Sequence, residues 1–200
     1  MLTSFGQVLG NFQSRRFLLL ATSAYCALLS YISNAPTIYK SAFDVDGVDF
    51  AVLFCATGFG IIFGQYANRK ILPVLGILKV LRIAGLIIFI ASAASTFLAI
   101  TGHLTASIFT ALMFVFNTSF LVVVSNSMTL IIDPHPKIAG SVSAFFGFVT
   151  SVGGALFVIL TIDLFNGDAV AWGIGMVLTT GITFLGFMLT LRSRIDFDES

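Results

Sequence analysis

Residues 76–100 read GILKVLRIAGLIIFIASAASTFLAI, and this stretch decides the class of fold. Its charged side chains, Lys79 and Arg82, lie in its first third, and about 20 mostly apolar residues suffice for one helix to cross a bilayer. Across the chain, 58% of residues are hydrophobic and only 10% are charged, whereas soluble domains have about 25% charged residues. Because the chain lacks the polar surface that a soluble core needs, lipid is its expected solvent.

Six segments of this kind follow one another along the chain, and no segment has the pattern of a strand. They cover residues 17–39, 48–67, 76–100, 105–132, 138–162 and 170–191. The breaks between them are short and rich in turn formers, so consecutive helices should be antiparallel neighbours. The expected fold is an all-α polytopic membrane protein, a six-transmembrane-helix bundle over residues 17–192.

The two ends of the chain have a different pattern. Residues 1–16 carry apolar side chains at helical spacing but are too short to span, so they should form an interfacial segment that leads into the bundle. Residues 193–200 contain three acids and should form a cytoplasmic tail.

Basic residues are distributed very unevenly between the two sides of the predicted bundle. One side carries Arg15, Arg16, Arg69, Lys70, Lys79, Arg82, Lys137, Arg192 and Arg194, while the other carries Lys40 with Asp44, Asp46, Asp49, Asp163 and Asp168. Because basic residues near helix ends are retained in the cytoplasm, both termini should be cytoplasmic in a multi-pass protein of the cell inner membrane. The lipid bilayer is thus an expected partner, and the near-zero net charge gives no indication of nucleic acid.

The cysteines, histidines and acidic residues, which most often act in catalysis or metal binding, lie in positions that are unfavourable for an enzyme. Cys26 and Cys55 lie singly in apolar runs, and His103 and His135 lie in predicted loops. We therefore expect no catalytic residues, no metal site and no cofactor. No acid lies in the middle of a predicted helix, so the chain should have no proton relay of its own.

Uncharged polar side chains remain as candidates for a ligand cavity. Tyr31, Asn34, Asn117 and Asn126 are the candidate substrate-binding, cavity-lining residues, because an amide or phenol is expensive to leave unpaired in hydrocarbon. The alternative is hydrogen bonding between helices, which is the usual role of polar side chains in membrane bundles.

Glycines indicate helix packing. Gly60 and Gly64 in the second helix, and Gly140, Gly147 and Gly154 in the fifth, lie in small-x-x-x-small patterns. Such patterns let two backbones approach closely. We predict that these five glycines lie at helix contacts.

Three stretches carry a resemblance to a known family. They are Tyr31-Ile-Ser-Asn-Ala-Pro-Thr-Ile-Tyr39, the segment from Gly64 to Gly76, and Ser125-Asn126 followed by Asp133-Pro-His-Pro-Lys-Ile-Ala-Gly-Ser-Val-Ser-Ala144. Together they resemble the bicyclomycin and chloramphenicol resistance branch of the major facilitator superfamily. The resemblance covers nearly the whole chain and matches the C-terminal half of such a drug:proton antiporter, its helices seven to twelve. Asn68 stands where the family's cytoplasmic loop motif has an acid, and Ser125 stands where a proline is usual.

The resemblance implies half of a proton-coupled multidrug efflux transporter that exports small hydrophobic compounds. It implies that the first and fourth helices line the cavity, the second and fifth support the interface, and the third and sixth face lipid. The carboxylate that binds the proton generally lies in the other half, so the expected partner is the missing N-terminal six-helix half. Two alternatives remain: a self-sufficient homodimer, in which a second copy supplies the other six helices, and a non-transporting membrane interaction protein.

Overall fold

The computed structural model describes residues 2–165 and 167–198, with side chains between residues 6 and 189. In this part of the chain every regular element is helical. The elements are α1 (Leu2–Gly10), α2 (Phe12–Phe43), α3 (Gly47–Leu75), α4 (Ile77–Ile100), α5 (Ala106–Ile132), a 3-10 turn (Pro136–Ile138), α6 (Ala139–Phe165) and α7 (Ala169–Asp198). Six helices, α2 to α7, are long and apolar enough to cross a membrane. The predicted all-α, six-helix membrane bundle is confirmed.

Local chemistry explains several helix ends. The Asn11 side chain accepts a hydrogen bond from the Ser14 amide at 3.0 Å and so caps the start of α2. Between α3 and α4 the connection is Gly76 alone, with a φ of 75° that a glycine adopts without strain. Asp168 accepts from the Val170 amide at 2.8 Å at the start of α7.

The predicted helix bounds differ from the structure mainly at the basic side. The second predicted segment ends at residue 67, whereas α3 continues to Leu75 and buries Asn68, which is 9% exposed. The predicted tail at residues 193–200 is helical as far as Asp198. Proline does not interrupt α2, which runs through Pro36.

The helices pack as two related groups of three, α2–α4 and α5–α7. Helices α2 and α5 pack on each other at the centre, and α4 packs on α7. The remaining main contacts come in matched pairs: α3 packs on α5 as α6 packs on α2, and α4 packs on α5 as α7 packs on α2. Exchanging the two groups thus leaves the contact pattern unchanged, as expected of nested three-helix repeats with opposite topology.

Two helices are peripheral in this arrangement. Within their apolar windows only 17% of α3 and 22% of α6 is buried, against 50% and 56% in α2 and α5. Large apolar side chains on the outside, such as Phe63, Phe97 and Phe148, are 59–65% exposed. Because the solvent is expected to be lipid, such exposure is ordinary on a surface that faces hydrocarbon.

The helix ends with most basic residues form what we call the basic end of the bundle, and the opposite end is the acidic end. At the basic end, α2 is tied to the end of α5 and the loop that follows. The Ser14 hydroxyl, which is fully buried, lies 3.2 Å from His135 Nε2 and 3.4 Å from the Ile131 carbonyl oxygen. Val8 of α1 is also buried, so the N-terminal segment packs against this end of the bundle.

Candidate substrate-binding site

A polar cluster lies where α2, α3 and α5 meet. The Tyr31 hydroxyl is 3.0 Å from Thr57 Oγ1, and Asn117 Nδ2 donates to the Thr57 carbonyl oxygen at 3.1 Å. Since the Thr57 hydroxyl donates to the Phe54 carbonyl oxygen at 2.7 Å, Tyr31 is the donor to Thr57. Tyr31, Thr57 and Asn117 are each at most 3% exposed, so three helices share one buried hydrogen-bonded group.

This cluster lies near mid-depth in the bundle. Tyr31 is twelve residues before the end of α2 at Phe43, and Asn117 is eleven residues after the start of α5 at Ala106. At 1.5 Å per residue these separations amount to about 15–20 Å, close to half of the ~30 Å hydrocarbon thickness. A polar group at this depth is energetically costly unless it is paired.

Asn34 has a different environment from its predicted companions. Its Nδ2 donates to the Ser30 carbonyl oxygen at 2.9 Å, one turn earlier in the same helix. The Trp172 indole of α7 donates to the same oxygen at 3.4 Å. Asn34 is therefore buried, shares an acceptor with Trp172 of α7, and makes no hydrogen bond to the cluster around Tyr31.

Two buried atoms of this region have no hydrogen-bond partner in the part of the chain that the structure describes. They are Asn117 Oδ1 and Ser30 Oγ. An amide oxygen only accepts, so Asn117 Oδ1 is a buried acceptor that could pair with an N–H or O–H donor.

Asn126 lies apart from the other three candidates, towards the basic end. Its Nδ2 donates to Asn68 Oδ1 at 3.0 Å, and both side chains are buried. One turn away, Gln65 Nε2 donates to Ser125 Oγ at 3.4 Å. These contacts join α3 to α5, so Asn126 belongs to a helix seam and not to the mid-depth cluster.

The predicted packing glycines fall into two groups. Gly60 and Gly64 lie directly against the backbone of α5 at Phe114 and Thr118, and Gly154 lies against Leu29 and the Tyr25 carbonyl of α2. A Cβ added at Gly140 or Gly147 would meet nothing within 4 Å. At these two positions a side chain would therefore have room in the described part of the chain, so close approach of a neighbouring helix does not require glycine there.

Aromatic rings fill the bundle between the polar cluster and the acidic end. The Tyr39 hydroxyl is 2.7 Å from Thr110 Oγ1, and its ring lies 5.3–5.4 Å from the rings of Phe50 and Phe109. Phe109 also makes an edge contact with Trp172 at 5.5 Å. These rings pack together on the acidic side of Tyr31.

Ionised groups of the described residues lie at the ends of the bundle. Lys40 pairs with Asp44 at 2.8 Å and Asp46 at 2.7 Å, all three being exposed. The hydrogen bond from Lys40 holds the pKa of Asp44 below its ordinary value. Asp49 lies in the first turn of α3 and Asp163 near the end of α6.

Among the described residues no three His, Cys, Asp or Glu side chains lie close enough to hold a metal ion.

Sequence reasoning missed three participants: Thr57, Asn68 and Trp172. Thr57 and Trp172 give no signal of their own, because a threonine or tryptophan in an apolar run is common in membrane helices. Asn68 was assigned to a loop because it precedes Arg69 and Lys70. Asn68 is buried because α3 continues past it and packs against α5. The sequence alone does not show this packing.

Comparison with known proteins gives one informative similarity. The chain is 26% identical over 167 residues to the uncharacterized MFS-type transporter YdgK of Bacillus subtilis (strain 168). The match covers 83% of this chain and 41% of the relative, so the chain spans about two fifths of the length of that protein. No protein-family model matches the chain, and no solved structure matches it. Over most of its length this chain is therefore similar to part of a protein described as an MFS-type transporter.

Proposed function

We propose that this chain is one six-helix half of a transporter that exports small, mostly apolar compounds, and that it contributes the uncharged side of the substrate cavity. The observation that carries the proposal is the buried cluster of Tyr31, Thr57 and Asn117 at mid-depth. The cluster places polar groups from three helices at the depth where a substrate cavity between two six-helix units would lie. The similarity to a transporter and the matched three-helix groups support the same proposal.

The chemistry of the cluster restricts the compounds that fit. Its neighbours are aromatic rings, the Asn117 amide oxygen has no hydrogen-bond partner among the described residues, and no ionised side chain belongs to the cluster. Such a site orients an apolar ligand through one donated hydrogen bond. Energy coupling belongs to the second six-helix unit in this proposal, since the described spanning helices carry no carboxylate away from their ends.

A second six-helix unit is part of the proposal, whether on the same polypeptide or on another chain. The basic end would face the cytoplasm, with α2 and α5 towards the cavity and the two exposed helices, α3 and α6, along the interface with that unit. Without that unit the cavity has only one wall.

Ligand binding can be followed through Trp172, the one tryptophan of the sequence, whose ring centroid lies 6.4 Å from that of Tyr31. The chain is reconstituted with a tryptophan-free first half of a drug:proton antiporter and titrated with apolar export substrates. We expect saturable fluorescence changes that Asn117→Ala weakens about tenfold, while Asn126→Ala, at the α3–α5 seam, leaves the affinity within twofold. If alanine at Tyr31, Asn34, Asn117 and Asn126 together leaves binding and efflux unchanged, the cavity assignment is wrong.

A further inference from the structure

A crevice of about 110 Å³ lies between α3, α4 and α5, near the basic end. It exists because α3 and α4, joined only by Gly76, diverge: α3 packs mainly on α5, while α4 packs on both α5 and α7. Aliphatic side chains form most of its walls, among them Ile71, Val80, Ile83 and Ile87.

The crevice opens sideways, in the direction in which lipid is expected. Ile71 and Ile83 line it and are nevertheless 43% and 47% exposed. Its α3 wall runs from Gly64 to Ile71, four to eleven residues before the end of that helix. At 1.5 Å per residue the crevice lies about 6–17 Å from the basic end, which is the depth of acyl chains in one leaflet. The polar residues of its lining are Asn68, Thr118 and Ser119, and the rest of the wall is apolar.

Positive charge is concentrated in the two helix segments that line the crevice. Lys70 precedes Ile71, and Lys79 precedes Val80. Both lysines are exposed, and the ion pairs among described residues all involve Lys40 instead. The sequence contains no Asp or Glu from residue 50 to residue 132, although Arg69 and Arg82 also lie in this interval.

The start of α4 adds to this field. No side chain caps it, so its first amides carry the partial positive charge of a helix N-terminus. Arg82, in the second turn, has its Nε buried and without a hydrogen-bond partner among the described residues. The turn between α3 and α4 is thus positive, and the crevice directly beside it is apolar.

We propose that this crevice binds an anionic phospholipid. One acyl chain lies against Ile71, Val80 and Ile83, and the phosphate lies at the α3–α4 turn between Lys70 and Lys79. An apolar groove below a basic rim is the arrangement that recognises lipids with acidic headgroups. The lipid would fill the gap between two helices that hardly touch each other.

Native mass spectrometry of the full chain in detergent tests this site. The chain is titrated with phosphatidylglycerol and with phosphatidylcholine that carries the same acyl chains. We expect phosphatidylglycerol to bind more tightly, and the K70Q/K79Q variant to weaken it roughly tenfold, to the level of phosphatidylcholine. Lys137→Gln, which removes a cation at the same end but away from the crevice, is the matched control and should keep the preference.

A second arm tests the crevice itself. Ala67→Leu places a larger side chain on its α3 wall and should weaken both lipids alike. The unmodified chain is also titrated with dihexanoyl phosphatidylglycerol, whose acyl chains are short. This lipid should bind at least tenfold more weakly than the long-chain lipid. Equal binding of the two headgroups would overturn the proposal. An effect of Lys137→Gln as large as that of K70Q/K79Q would overturn it as well. Lipid binding would then depend on the overall positive charge of the basic end and not on Lys70 and Lys79.

Discussion

At the residue scale, the same type of side chain has different roles at three positions in the bundle. Asn117 links α5 to α3, Asn34 bonds to its own helix, and Asn126 pairs with Asn68. The sequence predicted Asn34, Asn117 and Asn126 as members of one set because residue type and depth are all that it displays. The rotation of a helix about its axis decides which of its faces meets which neighbour. These helices have apolar residues around their whole circumference, so the sequence does not determine that rotation.

Replacing the two amides by leucine should distinguish their roles. Asn117→Leu removes a hydrogen bond between helices and should lower the free energy of unfolding by about 1 kcal/mol. Asn34→Leu should lower it by less than half as much, because the Ser30 carbonyl oxygen keeps the Trp172 donor. Unfolding in mixed detergent, followed by circular dichroism, measures both. Equal losses would contradict the distinction between a bond that joins helices and one within a helix.

At the element scale, apolar length predicted which segments are helices, and turn composition predicted where most of them end. The cores of all six helices were found this way because about 20 apolar residues have few alternatives in lipid. The end of α3 could not be predicted, since Asn68, Arg69 and Lys70 look like a loop but continue the helix to Leu75. Small residues likewise show that a helix can pack closely, but not whether a neighbour is present on that side.

A pair of glycine substitutions tests the packing of the elements. Gly64→Ala places a methyl group into the backbone of α5 at Thr118 and should lower the free energy of unfolding by about 1–3 kcal/mol. Gly147→Ala meets no neighbour within 4 Å and should be neutral or slightly stabilising, because alanine favours a helix over glycine. Thermal unfolding midpoints of the two purified variants give the comparison. A loss at Gly147 as large as that at Gly64 would mean that α6 packs differently.

At the scale of the whole molecule, two features underlie the proposed arrangement in the membrane. They are the matched three-helix groups and the unequal charge of the two ends of the bundle. The groups place α2 and α5 at the centre and leave much of α3 and α6 uncovered. The sequence predicted six helices and an orientation for them. It did not reveal the matched packing of the two three-helix groups, because no repeat is visible in the residues themselves.

Orientation can be tested by labelling in intact cells. With Cys26 and Cys55 replaced by alanine, a new cysteine is introduced by His103→Cys or by Lys137→Cys, which lie at opposite ends of the bundle. A membrane-impermeant maleimide should label only the His103→Cys protein, because the basic end is expected in the cytoplasm. Labelling of the Lys137→Cys protein in intact cells would reverse the assigned orientation.

The central claim is that this chain is half of an exporter and that the other six-helix unit supplies energy coupling. The most direct measurement is the accumulation of a fluorescent apolar drug in cells that lack their own efflux pumps. The cells express this chain alone, or together with a first half that contains the membrane carboxylate. We predict that only the pair lowers accumulation and that a protonophore abolishes the effect. Lowered accumulation with this chain alone would contradict the account and favour a self-sufficient dimer.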